Sequence, residues 1–403
     1  MGVSGLSKAR LERMHDVMAG YVDRGQVPGL VALVSRAGEL RVDALGSLAV
    51  GGQSRVQRDT IFRIASMTKP VTAAAAMILV EECQLRLDEP VDRLLPELAD
   101  RKVIKRFEGA LDDTVPAKRS ITVRDLLTFR MGFGIVGAPP DPCPILKAAS
   151  DLRIGLGPPS PASMPAPDEW IRRLGSLPLM HQPGKKWMYG TGSDVLGVLI
   201  ARASGQPFEA FLRERIFDPL GMKDTGFSVP AEKINRLATS YATNPQTGAF
   251  EVYDQPASGQ WSRPPAFPAG ASGLVSTADD FLAFSQMMLN KGKLGSVRIL
   301  SRPSVELMTT DQLTPEQKAT SGLTEFFFES RGWGFGVSIV TRRTELAASI
   351  GMYGWDGGLG TSWRADPTED LTGILLTQCM WPSPSGPDVF LDFWAALYQS
   401  IDD

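Results

Sequence analysis

Ser66-Met67-Thr68-Lys69-Pro70-Val71-Thr72-Ala73-Ala74-Ala75-Ala76-Met77-Ile78-Leu79 places a serine and a lysine three positions apart, immediately ahead of an alanine-rich run. The run is apolar and continuous enough to predict a buried helix over residues 72–85. Pro70 fits the first turn of that helix, where a backbone N–H has no helical acceptor to serve. On one helical turn, positions i and i+3 share a face, so the Lys69 amine can approach the Ser66 oxygen. A serine hydroxyl is a weak nucleophile until a neighbouring base takes its proton. Lysine becomes such a base when burial and the positive end of a helix dipole disfavour its ammonium form. The same helix start leaves free N–H groups near Ser66, half of an oxyanion hole. Lys69 supplies the only S-x-x-K in the chain. The plain alternative is a capping serine beside a solvated lysine.

Composition narrows the chemistry further. The 403 residues contain only two histidines, His15 and His181, so no histidine-rich metal site can form and a Ser-His-Asp triad would have to use one of them. No G-x-S-x-G elbow of the α/β-hydrolase kind occurs. His181, beside Gln182-Pro183, reads as a loop hydrogen-bonder, and His15 lies on a surface helix. The formal charge of −3, from 42 basic and 45 acidic residues, offers no field to hold a nucleic-acid backbone. Cys83, Cys143 and Cys379 are far apart and odd in number, which reads as a reducing compartment. Residues 1–16 lack the apolar core of a secretory signal, Leu6 breaks a myristoylation pattern, and no window of about 18 apolar residues predicts a membrane span. A cytoplasmic protein with no membrane or nucleic-acid partner is expected; oligomeric state is not legible.

Along the chain, residues 7–23 predict a surface helix with Ser7 as its cap, and residues 30–35 and 40–45 predict a hairpin around Arg36-Ala37-Gly38-Glu39. Further helices are expected over 121–129, 194–203, 208–217, 279–289 and 304–308. Strands are expected over 334–340, 346–349, 360–364 and 371–377. Residues 137–167, with Ala138-Pro139-Pro140-Asp141-Pro142 and Gly157-Pro158-Pro159-Ser160-Pro161, are too proline-dense for regular structure and read as a loop, either plain surface or a pocket rim. Strands at both ends and helices between them predict one sheet, residues 1–70 and 270–403, with a mostly helical domain, 71–269, inserted. A cleft between the two is the natural ligand site.

Two more stretches qualify the serine–lysine pair. Trp187-Met188-Tyr189-Gly190-Thr191-Gly192-Ser193-Asp194 presents a tyrosine on a turn before a helix; alone, Tyr189 reads as a core residue. Trp355-Asp356-Gly357-Gly358-Leu359-Gly360 puts glycines where a ligand can approach a strand. In this order, and with Ile121-Thr122-Val123-Arg124-Asp125-Leu126-Leu127-Thr128, Phe217-Asp218-Pro219-Leu220-Gly221-Met222 and Gly273-Leu274-Val275-Ser276-Thr277-Ala278, the chain resembles the serine β-lactamase and penicillin-binding-protein superfamily. It is most similar to the class C β-lactamase-like branch that includes the family VIII carboxylesterases.

The resemblance implies an α+β, β-lactamase/transpeptidase-like fold with an antiparallel sheet flanked by helices and the active site in the cleft. It implies Ser66 as the acylated nucleophile, Lys69 as its base, Tyr189 as the second proton-transfer group, and an oxyanion hole from the N–H groups of Ser66 and Gly358. Trp355, Asp356 and Gly357 stand where β-lactamases have K-T-G and are expected to bind substrate. No metal or organic cofactor is implied. Thr191 replaces the Asn of Y-x-N, and Phe129-Arg130-Met131-Gly132 replaces H-T-S-G. Trp355 removes the cation that would hold a substrate carboxylate, and Asp356 either repels anions or pairs with an arginine. The expectation is a serine carboxylesterase acting on small to medium uncharged esters. Acyl transfer to an alcohol or amine, β-lactam or D-amino-peptide hydrolysis, and a catalytically silent binding module are the alternatives.

Overall fold

The computed structural model describes residues 5–137, 139, 141, 143–324, 326–382 and 386–403. Three positions of the proline-rich stretch, Ala138, Pro140 and Pro142, and the first four of the N-terminal signal reading lie outside them.

The chain opens with α1 (Lys8–Asp23), whose Leu11, Met14, Met18 and Tyr21 are buried. Ser7 occupies the cap position but its side chain makes no capping hydrogen bond. β1 (Gly29–Arg36) and β2 (Glu39–Gly46) form the expected hairpin, turning through Ala37 and Gly38 at positive φ. Five more strands close the chain: β3 (Arg331–Trp333), β4 (Ser338–Val340), β5 (Tyr353–Gly357), β6 (Thr361–Asp366) and β7 (Leu371–Thr377). Together they make a seven-stranded antiparallel sheet in the order β3-β4-β5-β6-β7-β1-β2. Its centre is buried on both faces, which is why β1 and β7 are apolar without alternation.

Alternate residues of β1 divide the core. Leu30, Ala32 and Val34 pack with Leu375 against α1 and a C-terminal helix, Asp388–Tyr398, which carries Phe393 and Leu397 into the same layer. Val31 and Leu33 face the other way with Ile374 and Trp363, towards the helix Ala278–Leu289 and the helix that follows Ser66. That helix, α2 (Thr68–Glu81), is buried along nearly its whole length. It starts four residues earlier than its sequence predicts, because a single 3-10 turn, Ala65–Met67, leads into it and puts Pro70 in its first turn. α3 (Val123–Leu127) is set by a capping box in which Thr122 and Asp125 satisfy each other's backbone N–H groups.

Several expectations are corrected. The proline-rich stretch contains a helix, α4 (Pro144–Asp151): Pro144 serves as its first residue, the seven positions after it carry no proline, and Ile145 and Ala149 anchor it to the core. Residues 334–340 are not one strand. Gly334-Phe335-Gly336 turns between β3 and β4, with Gly336 at φ +73, and a Cβ there would sit 2.8 Å from the Lys69 carbonyl oxygen. Residues 346–349 form no strand, since the chain must reverse between β4 and β5 and Arg343 Nε instead donates to the Ala348 carbonyl, 2.7 Å away. Among the described residues no helix is long and apolar enough to cross a membrane.

Candidate active site

Ser66 lies on the 3-10 turn at the head of α2, reached through Ala65 at φ +45, a left-handed backbone that costs an alanine of order 1 kcal/mol and is typical of functional turns. Three packing contacts hold that turn. Ile64 N–H donates to Leu274 O at 3.0 Å, Thr361 Oγ1 donates to Ile64 O at 3.1 Å, and Leu274 N–H donates to Thr68 Oγ1 at 3.1 Å. Gly357 belongs to this scaffold. A Cβ there would lie 2.2 Å from Ile64 O, so only glycine lets β5 press against the serine turn. Gly357 is absent from the cavity wall, and the substrate-binding expectation for it is replaced by close backbone packing.

One turn into α2, Lys69 is 2 % exposed, and its Nζ lies 2.8 Å from Ser66 Oγ and 2.7 Å from Ala271 O. Burial pushes the ammonium well below the ordinary lysine range, against the attraction of the Asp194 carboxylate. Asp194 is raised, again mainly by burial. Its Oδ1 accepts the Ala271 N–H at 2.9 Å, so residue 271 links carboxylate to amine through its N–H and C=O. As placed, Lys69 Nζ donates to both Ser66 Oγ and Ala271 O. Asp194 carries no motif signal of its own. Its only sequence cue is a place in the first turn of the helix Thr191–Ser204, where acids are common.

Tyr189 completes the group. The Lys69 Nζ sits 4.3 Å from the centre of its ring, and its hydroxyl is hydrogen-bonded to Ser66. Burial raises the phenol, while hydrogen bonds from Ser66 and Trp355 pull the other way. The Trp355 Nε1–H donates to Tyr189 Oη at 2.6 Å. This alters the expectation for Trp355. At 6 % exposure it is not on the wall of the serine cavity but behind Tyr189, in a cluster with Phe129, Trp187 and Trp333. Phe129, which stands in the first position of the altered H-T-S-G, meets the Tyr189 ring edge-on at 5.7 Å.

Of the two readings for Asp356, the structure has the arginine pair. Successive residues of a strand face opposite ways, so with Trp355 turned to the cleft Asp356 points to the other side of β5. There Arg364 binds it through two hydrogen bonds of 2.6 Å and Ser362 Oγ adds a third at 2.6 Å. It is off the wall of the serine cavity, and its charge reaches the cleft only as a minor influence that favours the protonated Tyr189 phenol. Gly358, by contrast, begins the turn after β5 on the cavity wall, with open space over its α-carbon. Its N–H meets no acceptor among the described residues. A carbonyl oxygen placed between the N–H groups of Ser66 and Gly358 would find two donors.

The cavity around Ser66 measures about 150 Å³; Lys69 is its one cationic side chain and Asp194 its one carboxylate. Thr191, in place of an amide, also lines it, and the Thr191 hydroxyl is buried without a partner among the described residues. His181 is off the wall of the serine cavity and lines another of about 1180 Å³, packed against Phe107, with its imidazole pushed down to about 4 by burial. His15 Nδ1 lies 3.3 Å from Asp43, on α1 far from the cleft in sequence and fold.

Comparison with known proteins gives the family and the fold. A family model described as Beta-lactamase matches residues 14–391. The chain is 40 % identical to Protein Rv1367c of Mycobacterium tuberculosis, over 93 % of this chain and 90 % of that one. It is 32 % identical to Esterase EstB of Burkholderia gladioli, over 89 % and 88 %. Among solved structures, EstCE1, described as a hydrolase with promiscuous acyltransferase activity, superposes with a TM-score of 0.78 at 26 % identity, covering 97 % of this chain and 99 % of that one.

Proposed function

We propose that this chain, which belongs to the Beta-lactamase family and is a serine hydrolase of that fold, is a carboxylesterase acting on small to medium uncharged esters through an acyl-enzyme on Ser66. The observation that carries the reading is the Lys69 amine 2.8 Å from Ser66 Oγ, in a buried setting that lowers its pKa to about 7. Neutral Lys69 takes the Ser66 proton as Oγ attacks the ester carbonyl. The oxyanion forms against the Ser66 and Gly358 N–H groups, and Tyr189 passes a proton to the departing alcohol oxygen while Lys69 resupplies it. Water, deprotonated by the same pair, then frees the acid. No residue with a metal or cofactor role enters this scheme.

The wall of the serine cavity offers no cation but Lys69 itself and carries the Asp194 carboxylate, so carboxylate-bearing β-lactams and peptide C-termini are disfavoured. Esterase EstB supports the ester reading by similarity. The likeness to EstCE1 favours a second outlet, transfer of the same acyl group to an alcohol. Three cysteines without disulfides support a reducing, cytoplasmic setting, with a small-molecule ester as the partner.

Intact-mass measurement after exposure to a p-nitrophenyl ester or a serine-directed phosphonate tests the proposal. Wild type gains one adduct and Ser66→Ala gains none. An unmodified wild type, or an adduct retained in Ser66→Ala, supports a silent binding module instead. Better turnover of penicillins or a D-Ala-D-Ala peptide than of short esters would reject the substrate class.

A further inference from the structure

Beside the serine cavity lies a second chamber of about 470 Å³, walled by Ile135, Val136, Leu146, Leu156, Pro158 and Met164. The two spaces share Ile135, Leu156, Pro158 and Asp194 in their walls, so they adjoin. The roof is the later half of the proline-rich stretch, and it is tied down along its length. Trp170 Nε1 donates to Ile154 O at 3.2 Å, Tyr253 Oη donates to Pro159 O, and Gln260 Oε1 accepts from Ser160 Oγ at 3.1 Å and Ala162 N–H at 3.2 Å. Four proline rings further restrict it, at 158, 159, 161 and 165. This is a fixed wall, so the volume beneath it exists before substrate arrives.

The chemistry gives the chamber a direction. The alcohol oxygen must lie beside Tyr189 Oη to receive its proton, and the acyl chain leaves the carbonyl carbon on the far side. The chamber wall includes Asp194 and Ser272 but neither Tyr189 nor Trp355, which puts it on that far side. Resting on the esterase reading above, we infer that this chamber binds the acyl chain and selects apolar, uncharged acyl groups of medium length. At about 30 Å³ per heavy atom, the share of a water molecule in the liquid, 470 Å³ corresponds to roughly 16 heavy atoms, ample room for a medium-length acyl chain with some of the space left to solvent. An anionic tail would meet the Asp194 carboxylate at the entrance, and Arg153, the cation on the wall, is solvent-exposed.

The test is kcat/KM for p-nitrophenyl esters from acetate to dodecanoate in wild type, Met164→Trp and Leu146→Trp, with acetate esters of hexanol and octanol as the reverse series. Leu146 and Met164 line the chamber, not the serine cavity, and neither is fully buried, so the larger side chain can be accommodated. The octanoate-to-acetate ratio falls at least tenfold in both variants. Met164→Ala, which needs no extra room, moves the optimum to longer acyl chains. Ratios unmoved in all three, or a change confined to the alcohol series, would overturn the assignment. A wild type that turns over no ester fails the underlying esterase reading, a distinct result.

Discussion

Trp355→Phe isolates one hydrogen bond at the centre of the site. The substitution keeps an aromatic ring against Trp333, whose centroid is 4.7 Å from that of Trp355, and removes the Nε1–H that reaches Tyr189 Oη at 2.6 Å. As Tyr189 gives up its proton to the leaving alcohol, its oxygen gains negative charge. The indole N–H then becomes a donor to a charged acceptor, an interaction worth about 1.5–3 kcal/mol. At 1.36 kcal/mol per factor of ten, kcat falls about 10- to 150-fold. KM changes little, because Trp355 stands behind Tyr189 and off the cavity wall. Steady-state kinetics on p-nitrophenyl acetate, with thermal denaturation to confirm that the variant is folded, measure both constants. A folded variant with kcat within threefold of wild type, or one whose whole loss lies in KM, would refute the reasoning. The second result would return Trp355 to the role of a substrate wall.

Three further outcomes follow from the same geometry. Asp194 favours the protonated form of Lys69, so Asp194→Asn, which can still accept the Ala271 N–H, lowers the Lys69 pKa further; the catalytic form is neutral Lys69, so the acid limb of the pH profile of kcat/KM moves to lower pH, and an unmoved or upward-shifted limb would contradict the coupling. Asp254→Ala strands Arg63, whose side chain is 2 % exposed, as an unpaired buried charge three residues before Ser66; chemical denaturation should show a loss of roughly 3–5 kcal/mol, and a loss below about 1 would mean that the pair is not the anchor it looks. Replacing His15 and His181 together with glutamine leaves acylation, followed by p-nitrophenol release, within about threefold of wild type, since neither touches the Ser66 cavity; a larger drop in a folded double variant would point to a histidine base.

What was legible in the sequence was what a short stretch of chain determines. Ser66 and Lys69 are one helical turn apart, so their contact follows from spacing once the helix is accepted, and Pro70 marks where that helix begins. The hairpin of β1 and β2 was readable from its polar break, and β7 from its apolar run. The helix Pro144–Asp151 is obscured by the prolines on both sides of it, which read as breakers across 137–167, when Pro144 is a helix starter as Pro70 is. The C-terminal helix Asp388–Tyr398 went unread, its apolar face being interpretable only against α1 and the sheet. Asp194 shows the other limit. Nothing within its own segment distinguishes it from a helix-start acid, and its relation to Lys69 exists only because the turn at residue 271 runs between α2 and the helix from Thr191.

Trp355 and Asp356 show how far one strand register can change a functional argument. From sequence, both were candidate substrate groups, one apolar and one repelling anions. In the sheet, Trp355 pairs with Trp363 and Asp356 with Ser362, which brings Arg364 diagonally within reach of the carboxylate. The anion is thereby spent on one face of β5 while the indole N–H is delivered on the other. Paired in this way and off the cavity wall, Asp356 is a poor source of selectivity against anionic substrates. In the proposed esterase reading that selectivity rests on the absence of a cation at position 355 and on the Asp194 carboxylate in the cavity wall. Arg364→Met separates the two accounts: it releases the Asp356 charge, weakens the sheet, and leaves the preference for uncharged esters in place, whereas a preference that depended on Asp356 would sharpen.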